Sequence, residues 1–163
     1  IEEMKAHGKT AILNPAPAPD ELPERIYDCV SYFTPNETEL EKITGMPCDT
    51  KEQIIAAAKF CIARGMKNVL VTMGKRGAML VNQEEIVEVP AFVVKAVDTT
   101  AAGDTFNGAF VTALADGLDT YEAIRFANAA SAVSVTRYGA QPSVPTREEV
   151  LQFLQQENAK KSE

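Results

Sequence analysis

Short strand-like runs alternate along this chain with helix-like segments, and this alternation constrains the fold more than any other feature. The clearest strand is the apolar run 68–73 (NVLVTM), and the clearest helix is the amphipathic segment 50–64, which ends at Gly65. Strands that alternate with helices predict an α/β fold with a largely parallel sheet. In such sheets, ligands bind beyond the carboxyl ends of the strands.

The same pattern predicts the remaining elements of a single domain. Further strands are predicted at 10–13, 29–33 and 92–97, with a hairpin at 78–81 and 86–89. Further helices are predicted in the first ten residues and at 21–26, 37–43, 105–115, 120–136 and 146–156. The charged end of the chain is expected to fray, so residues 1–157 are the predicted domain and 158–163 its tail.

Composition excludes several classes of function. The formal net charge of −7 disfavours nucleic acid and anionic membranes as partners, since both require a basic surface. The sequence shows neither an apolar run of the length of a membrane span nor the apolar core of a secretion signal. Cys29, Cys48 and Cys61 form no CxxC pair, which predicts buried, reduced thiols in a cytoplasmic protein. His7, the sole histidine, is predicted to be an exposed surface residue.

The segment 98–108 (DTTAAGDTFNG) carries the strongest chemical signal. Its small residues let the backbone approach an anion, and the N–H groups that open the following helix point at that anion. Asp104 stands among them. Because a carboxylate repels a bound anion, its presence at an anion-binding turn is unexpected unless it takes part in the chemistry. The pattern favours phosphoryl transfer, with Asp104 as the base that takes a proton from a hydroxyl. The alternative is a tight strand-to-helix turn with Asp104 or Thr105 as its N-cap.

Two further groups follow predicted strands. A glycine-rich turn follows the strand 68–73, and its candidate residues are Thr72, Gly74, Lys75, Arg76 and Gly77. Such a turn is equally typical of a hairpin. Asn36 follows the strand 29–33, and Glu39 lies one turn into the next helix. Alternatively, Asn36 is a helix N-cap and Glu39 interacts with the helix dipole.

The run 98–110 (DTTAAGDTFNGAF) resembles the C-terminal signature of the ribokinase (PfkB) sugar-kinase family, D-T-x-G-A-G-D, with Ala101 in place of the usual glycine. The segments that also fall in the family order are 14–17 (NPAP), 34–39 (TPNETE), 71–77 (VTMGKRG) and 137–145 (RYGAQPSVP). The resemblance implies a ribokinase-like, Rossmann-like fold with a mostly parallel sheet flanked by helices. It also implies ATP-dependent phosphorylation of a sugar hydroxyl, D-ribose to D-ribose 5-phosphate.

The resemblance further implies a role for each candidate. The backbone of Ala101, Ala102, Gly103 and Asp104 would surround the γ-phosphate, and Asp104 would also contact the sugar and take its proton. The glycine-rich turn would bind the phosphates and ribose of ATP, and Asn36 and Glu39 would act on Mg²⁺ largely through water.

Two more roles come from the resemblance. Asn128 would pack against the adenine, although a solvent or inter-helix hydrogen bond is its ordinary alternative. Six residues would surround a K⁺ with carbonyl and side-chain oxygens, namely Asp98, Thr100, Ser134, Arg137, Gly139 and Ser143. Taken alone, Gly139 is typical of a helix end.

The family kinases are longer than this chain, and their N-terminal half carries a first glycine-pair signature, most sugar-binding residues and a β-sheet lid through which they form homodimers. The chain starts inside a helix-like segment and without Met, which favours a fragment over natural loss of that half. We expect these residues alone to phosphorylate ribose weakly or not at all, because the lid closes the site against water. The alternatives are a nucleotide-binding module without turnover, a kinase for another sugar such as deoxyribose, and a plain α/β domain.

Overall fold

A computed structural model describes residues 1–160, which form two compact units. The first unit comprises residues 1–73 and 78–88, and the second comprises residues 74–77 and the chain from Val89 onward. Within the described residues, every helix is too short or too polar to cross a membrane.

The first unit is organised around a five-stranded sheet with the strands in chain order. These strands are β1 (Ile12–Leu13), β2 (Tyr32–Phe33), β3 (Asn68–Thr72), β4 (Ala78–Val81) and β5 (Ile86–Val89), the last residue of which belongs to the second unit. The first three strands are parallel, and β4 is antiparallel to β3. The predicted α/β class, the mostly parallel sheet and the hairpin are therefore confirmed.

Four helices complete the first unit, namely α1 (Glu2–Ala6), α2 (Glu24–Tyr27), α3 (Glu37–Thr44) and α4 (Lys51–Ala63). Both α3 and α4 begin with a capping box, formed by Asn36 with Glu39 and by Thr50 with Gln53. The apolar faces of these helices and the centre of β3 form one core, which includes Phe33, Leu40, Ile54, Ala57, Ala58, Val69 and Val71. The spacing of apolar residues in 50–64 thus predicted the buried face of α4 correctly.

The three cysteines are free and buried, as their scattered spacing predicted. Burial raises the pKa of the Cys48 thiol to about 11 and that of the Cys61 thiol to about 12. Both thiols are therefore protonated and unreactive at neutral pH. His7 is exposed, which is also as predicted.

The second unit is a group of three long helices, α5 (Ala102–Ala115), α6 (Thr120–Ser134) and α7 (Arg147–Lys160). Its buried residues include Phe106, Phe110, Ala113, Ala123, Ile124, Ala127, Ala130 and Val150. The alanines of α6 present small side chains to the core, which lets a neighbouring helix approach closely. The predicted tail begins at residue 158, but α7 is helical to Lys160, and the rest of that prediction falls on residues 161–163, outside the described residues.

The strand predicted at 92–97 is wrong, because these residues form no strand in the structure. The run is apolar and rich in valine, but a strand exists only where a neighbouring strand accepts its hydrogen bonds. Here the backbone N–H of Val97 donates to the carbonyl of Val135, beyond the end of α6, at 2.7 Å. The Phe92 ring packs edge-on against Phe153 of α7, and Val93 is 99% exposed. The segment therefore runs along the helices of its unit instead of extending a sheet.

Candidate functional site

The helix α5 begins in an unusual way. Its N-cap is Ala101, which has a φ of +58° and makes no side-chain hydrogen bond to the first turn. The short helices α1 and α2 also begin without a capping side chain, whereas α3, α4 and α6 each begin at a residue whose side chain caps the first turn. Among the described residues, Ala101 is the only one other than glycine with a positive φ. Left-handed backbone followed by an uncapped helix start gathers N–H groups into a concavity that suits an anion.

The carboxylate of Asp104 lies in the first turn of this helix and is exposed. Because Ala101 is the N-cap, the alternative in which Asp104 or Thr105 caps the helix is wrong. Thr105 is 5% exposed, and its Oγ1 has no hydrogen-bond partner among the described residues. At this helix start the backbone N–H of Ala102 donates to the carbonyl of Thr99 at 3.2 Å. The exposed carboxylate of Asp104 lies on the same turn as N–H groups that have no partner within the helix.

A cavity of about 280 Å³ lies beside Asp104 in the second unit. Its lining includes Thr105, Gly108 and Thr112 of α5, Phe126 of α6 and Arg147 of α7. Arg147 forms an ion pair with Asp116 at the far end of α5. The carboxylate of Asp104 thus borders open space that small residues of its own helix leave free.

The residue that precedes the loop, Asp98, organises the backbone around it. Its Oδ1 accepts hydrogen bonds from the backbone N–H of Thr100 at 2.9 Å and from the Thr100 hydroxyl at 2.7 Å. Its Oδ2 accepts from the backbone N–H of Gly139 at 2.9 Å. These bonds, that of the Thr100 hydroxyl first, lower the pKa of Asp98. Of the six predicted cation-site residues, the structure therefore brings Asp98, Thr100 and Gly139 together.

The other three predicted cation-site residues lie at the end of α6 and just beyond it. The carbonyl of Ser134 accepts a hydrogen bond from the backbone N–H of Arg137 at 3.0 Å. Ser143 is buried in a short 3₁₀ turn, Gln141–Ser143, and its hydroxyl donates to the carbonyl of Ala140 at 2.7 Å. The set supplies backbone and hydroxyl oxygens near the negative end of a helix, which is a donor chemistry that fits a K⁺. Within residues 1–160, no group of three or more His, Cys, Asp or Glu side chains gathers to hold a metal.

Sequence reasoning missed Glu149, which holds this region to α7. Its carboxylate accepts from both terminal nitrogens of Arg137, at 2.6 and 3.2 Å, and from the backbone N–H of Thr146 at 2.8 Å. The hydrogen bond from Arg137, followed by that from Thr146, lowers the pKa of Glu149. The T-x-x-E spacing of 146–149 is that of a capping box, so the pattern was present in the sequence.

The glycine-rich turn forms a 3₁₀ turn, Gly74–Arg76, between β3 and β4. The backbone N–H of Gly77 donates to the carbonyl of Gly74 at 3.0 Å and closes the turn. Lys75 and Arg76 are exposed. Gly77 is buried with a φ of +98°, and a Cβ there would lie 2.1 Å from the carbonyl oxygen of Val89. Only glycine fits this position.

Asn128 is buried in α6, at 6% exposed. Its Nδ2 donates to the carbonyl oxygens of Val89 at 3.0 Å and Pro90 at 3.3 Å. The side chain is therefore bonded to the backbone of its own unit, and the inter-helix and solvent alternatives do not describe it.

In the first unit, the structure brings Asn36, Glu39 and Thr72 together. The side chain of Asn36 accepts from the backbone N–H of Glu39 at 2.8 Å, and the Glu39 carboxylate accepts from the backbone N–H of Asn36 at 2.8 Å. The N-cap alternative for Asn36 is thus confirmed as a structural role. Asn36 also pairs with Thr72 in an isolated parallel bridge, because β2 and β3 end at the same edge of the sheet.

Comparisons with known proteins identify the family of the chain. The profile of the family described as "pfkB family carbohydrate kinase" matches residues 1–147. Ribokinase from Haemophilus influenzae is 44% identical over 151 residues, which are 93% of this chain and 49% of that protein. Deoxyribokinase from Salmonella typhi is 45% identical over 155 residues, 94% of this chain and 50% of that protein.

The fold is similar to that of Arabidopsis thaliana ribokinase, whose structure was solved with ribose and ATP. The TM-score is 0.89 at 40% identity, and the match covers 94% of this chain and 50% of that chain. The chain therefore spans about half the length of the relatives it matches.

Proposed function

Because the chain belongs to the pfkB family of carbohydrate kinases, we propose that its protein transfers the γ-phosphoryl group of ATP to a hydroxyl of a small sugar. The observation that carries the proposal is the start of α5, where a left-handed Ala101 precedes an uncapped first turn with the exposed carboxylate of Asp104. The short helices α1 and α2 also lack a capping side chain, so the left-handed Ala101, together with the carboxylate on the first turn, is what distinguishes α5.

In the proposed reaction, the Asp104 carboxylate accepts the proton of the attacking sugar hydroxyl. The hydroxyl oxygen forms a bond to the γ-phosphorus, and the bond from that phosphorus to the β,γ-bridging oxygen breaks to release ADP. The backbone N–H groups of residues 101–104 donate to the phosphoryl oxygens, where the charge is spread in the transition state. A general base in this role contributes about 10²–10⁴-fold to the rate.

Two cations complete the proposal. When bound, Mg²⁺ neutralises charge on the phosphates of ATP, and Asn36 and Glu39 act on it largely through its water ligands. This fits the geometry, because the capping bond occupies only Oε2 of Glu39. The oxygens around Asp98 and the end of α6 would hold K⁺, which would brace the backbone of the loop. The homodimer that the resemblance implies, formed through the family lid, stays a prediction.

D-ribose is the proposed substrate, phosphorylated at its 5-hydroxyl, because the segments 139–145 (GAQPSVP) and 14–18 (NPAPA) resemble those of ribokinases. The comparable identity to a deoxyribokinase makes 2-deoxyribose the second candidate. Comparison of kcat/KM for ribose, 2-deoxyribose and a hexose, measured on the complete protein that contains this chain, decides between the two candidates.

The first experiment is calorimetric titration of ATP into the chain, with and without Mg²⁺ and K⁺. We expect binding that both cations strengthen. A folded chain that binds no ATP under any of these conditions would instead be a plain α/β domain.

The second experiment joins this chain to the preceding half of the Haemophilus influenzae ribokinase and follows ADP release. We expect sugar-dependent turnover that Asp104→Asn lowers by about 10²–10⁴-fold without weakening ATP binding. The matched control is Asp116→Asn, at the other end of α5, which should retain turnover. Full turnover in Asp104→Asn excludes the proposed base, and a chimera that binds ATP without turnover favours the module without catalysis.

A further inference from the structure

Asn128 makes contacts that point to a different role from packing against adenine. Its amide nitrogen donates to two consecutive backbone carbonyls, those of Val89 and Pro90, at 3.0 and 3.3 Å. With 6% of its surface exposed, the side chain has little area left for a ligand. A buried amide that bonds two successive carbonyls fixes the path of that backbone relative to its helix.

The same short segment, residues 89–91, is pressed against Gly77. A Cβ at Gly77 would lie 2.1 Å from the carbonyl oxygen of Val89, 2.5 Å from the Ala91 nitrogen and 2.7 Å from the Pro90 carbonyl carbon. These are backbone atoms, which cannot swing aside as the end of a side chain can. The position of Gly77 is therefore set by the position of residues 89–91.

Gly77 in turn closes the glycine-rich turn through its hydrogen bond to the carbonyl of Gly74. A continuous series of contacts thus runs from Asn128 through residues 89–91 to Gly77 and the turn, and every member lies in the second unit. We infer that Asn128 is a positioning residue for the Gly74–Gly77 turn and acts on the phosphates and ribose of ATP through that backbone. The identity of the ligand in this inference rests on the proposed function, whereas the series of contacts does not.

The affinities for two ligands, ATP and inorganic tripolyphosphate, distinguish this positioning role from a direct contact with adenine. If Asn128 packed against adenine, its loss would weaken ATP binding and leave the binding of inorganic tripolyphosphate unchanged. If it positions the turn, its loss weakens both ligands by a similar factor. The decisive variant is Asn128→Asp, which keeps the size of the side chain but turns a carboxylate oxygen toward two carbonyl oxygens.

The experiment titrates ATP and tripolyphosphate into the full chain by calorimetry and follows amide hydrogen exchange of Gly77 by NMR. For Asn128→Asp we expect both dissociation constants to rise about 10-fold, as for a buried hydrogen bond replaced by repulsion. We also expect faster exchange at Gly77 but not at Gly45 or Gly117, which end other helices. Ile124→Val, fully buried one turn earlier on α6, is the control for a general loss of stability and should change none of these readouts.

Weaker ATP binding with unchanged tripolyphosphate binding would overturn the inference, and so would unchanged exchange at Gly77. If Asn128→Asp does not fold, Gly77→Ala perturbs the contact between Gly77 and residues 89–91 instead. This variant should weaken the binding of ATP and of tripolyphosphate by a similar factor. If the wild-type chain binds neither ligand, the proposed function fails, while the exchange of Gly77 still decides whether Asn128 positions the turn.

Discussion

Asp98 shows how one carboxylate can set the shape of a loop. Its pKa lies below that of a free aspartate because the Thr100 hydroxyl and two backbone N–H groups donate to it. Since the folded pKa is the lower one, the bonds stabilise the fold fully above the ordinary value of about 3.9 and are lost as the pH falls through the folded pKa. We predict that the amide shifts of Thr100 and Gly139 titrate together by NMR, with a midpoint below about 3.9. Asp98→Asn should abolish this titration, and a midpoint at or above that value would contradict the assignment.

Ala101 carries a cost that glycine would not. A left-handed conformation costs a residue with a Cβ about 1 kcal/mol, so Ala101→Gly should raise the free energy of unfolding by up to that amount. The matched control is Ala109→Gly in the middle of α5, which should lower it by about 1 kcal/mol because glycine is a poor helix former. Urea denaturation measures both. If both substitutions destabilise the chain, Ala101 is not strained.

At the scale of the element, the start of α3 combines a cap with a proposed role at Mg²⁺. Asn36→Ala removes the capping bond and should lower the free energy of unfolding by about 1 kcal/mol. Asn36→Asp keeps the cap, because aspartate caps as well as asparagine, so its stability should be close to that of the wild type. Thermal unfolding measures the stability of both variants. Because Asn36→Asp keeps the cap, calorimetric titration of Mg²⁺–ATP into this variant tests the proposed role of Asn36 at Mg²⁺ separately from its role as a cap. Unchanged affinity for Mg²⁺–ATP in this variant would leave Asn36 with only its structural role.

The elements themselves were predictable where local chemistry decides them. The helix α4 was predicted to within one residue at each end because Thr50 caps its start and Gly65 follows its end. The run 92–97 was predicted wrongly, because a strand depends on a distant partner that local composition does not reveal. The start of α5 was predicted three residues late, since the left-handed Ala101 that opens it leaves no capping residue to recognise.

At the scale of the molecule, the sequence indicates candidate residues for the chemistry but not the contacts that hold them in place. Asp98 and Gly139 are 41 residues apart, and only the fold shows that their contact organises the loop. The bonds from Asn128 to residues 89 and 90 were hidden for the same reason, because a buried asparagine among alanines does not indicate its partner. Glu149 differs, since the spacing of its capping box was visible.

The span of the chain leads to the last prediction. It matches about half the length of its relatives and contains the proposed base and the proposed anion-binding backbone. Catalysis also requires that the sugar is held in line with the phosphate and closed against water, and misplacement by about 1 Å costs about 100-fold in rate. We therefore predict that the chain alone binds ATP but turns over ribose at least about 100-fold more slowly than the chimera with the Haemophilus influenzae half. The coupled ADP-release assay on equal concentrations of both proteins measures the ratio, with Asp104→Asn in each as the blank. Equal rates would mean that residues 1–163 hold the sugar unaided.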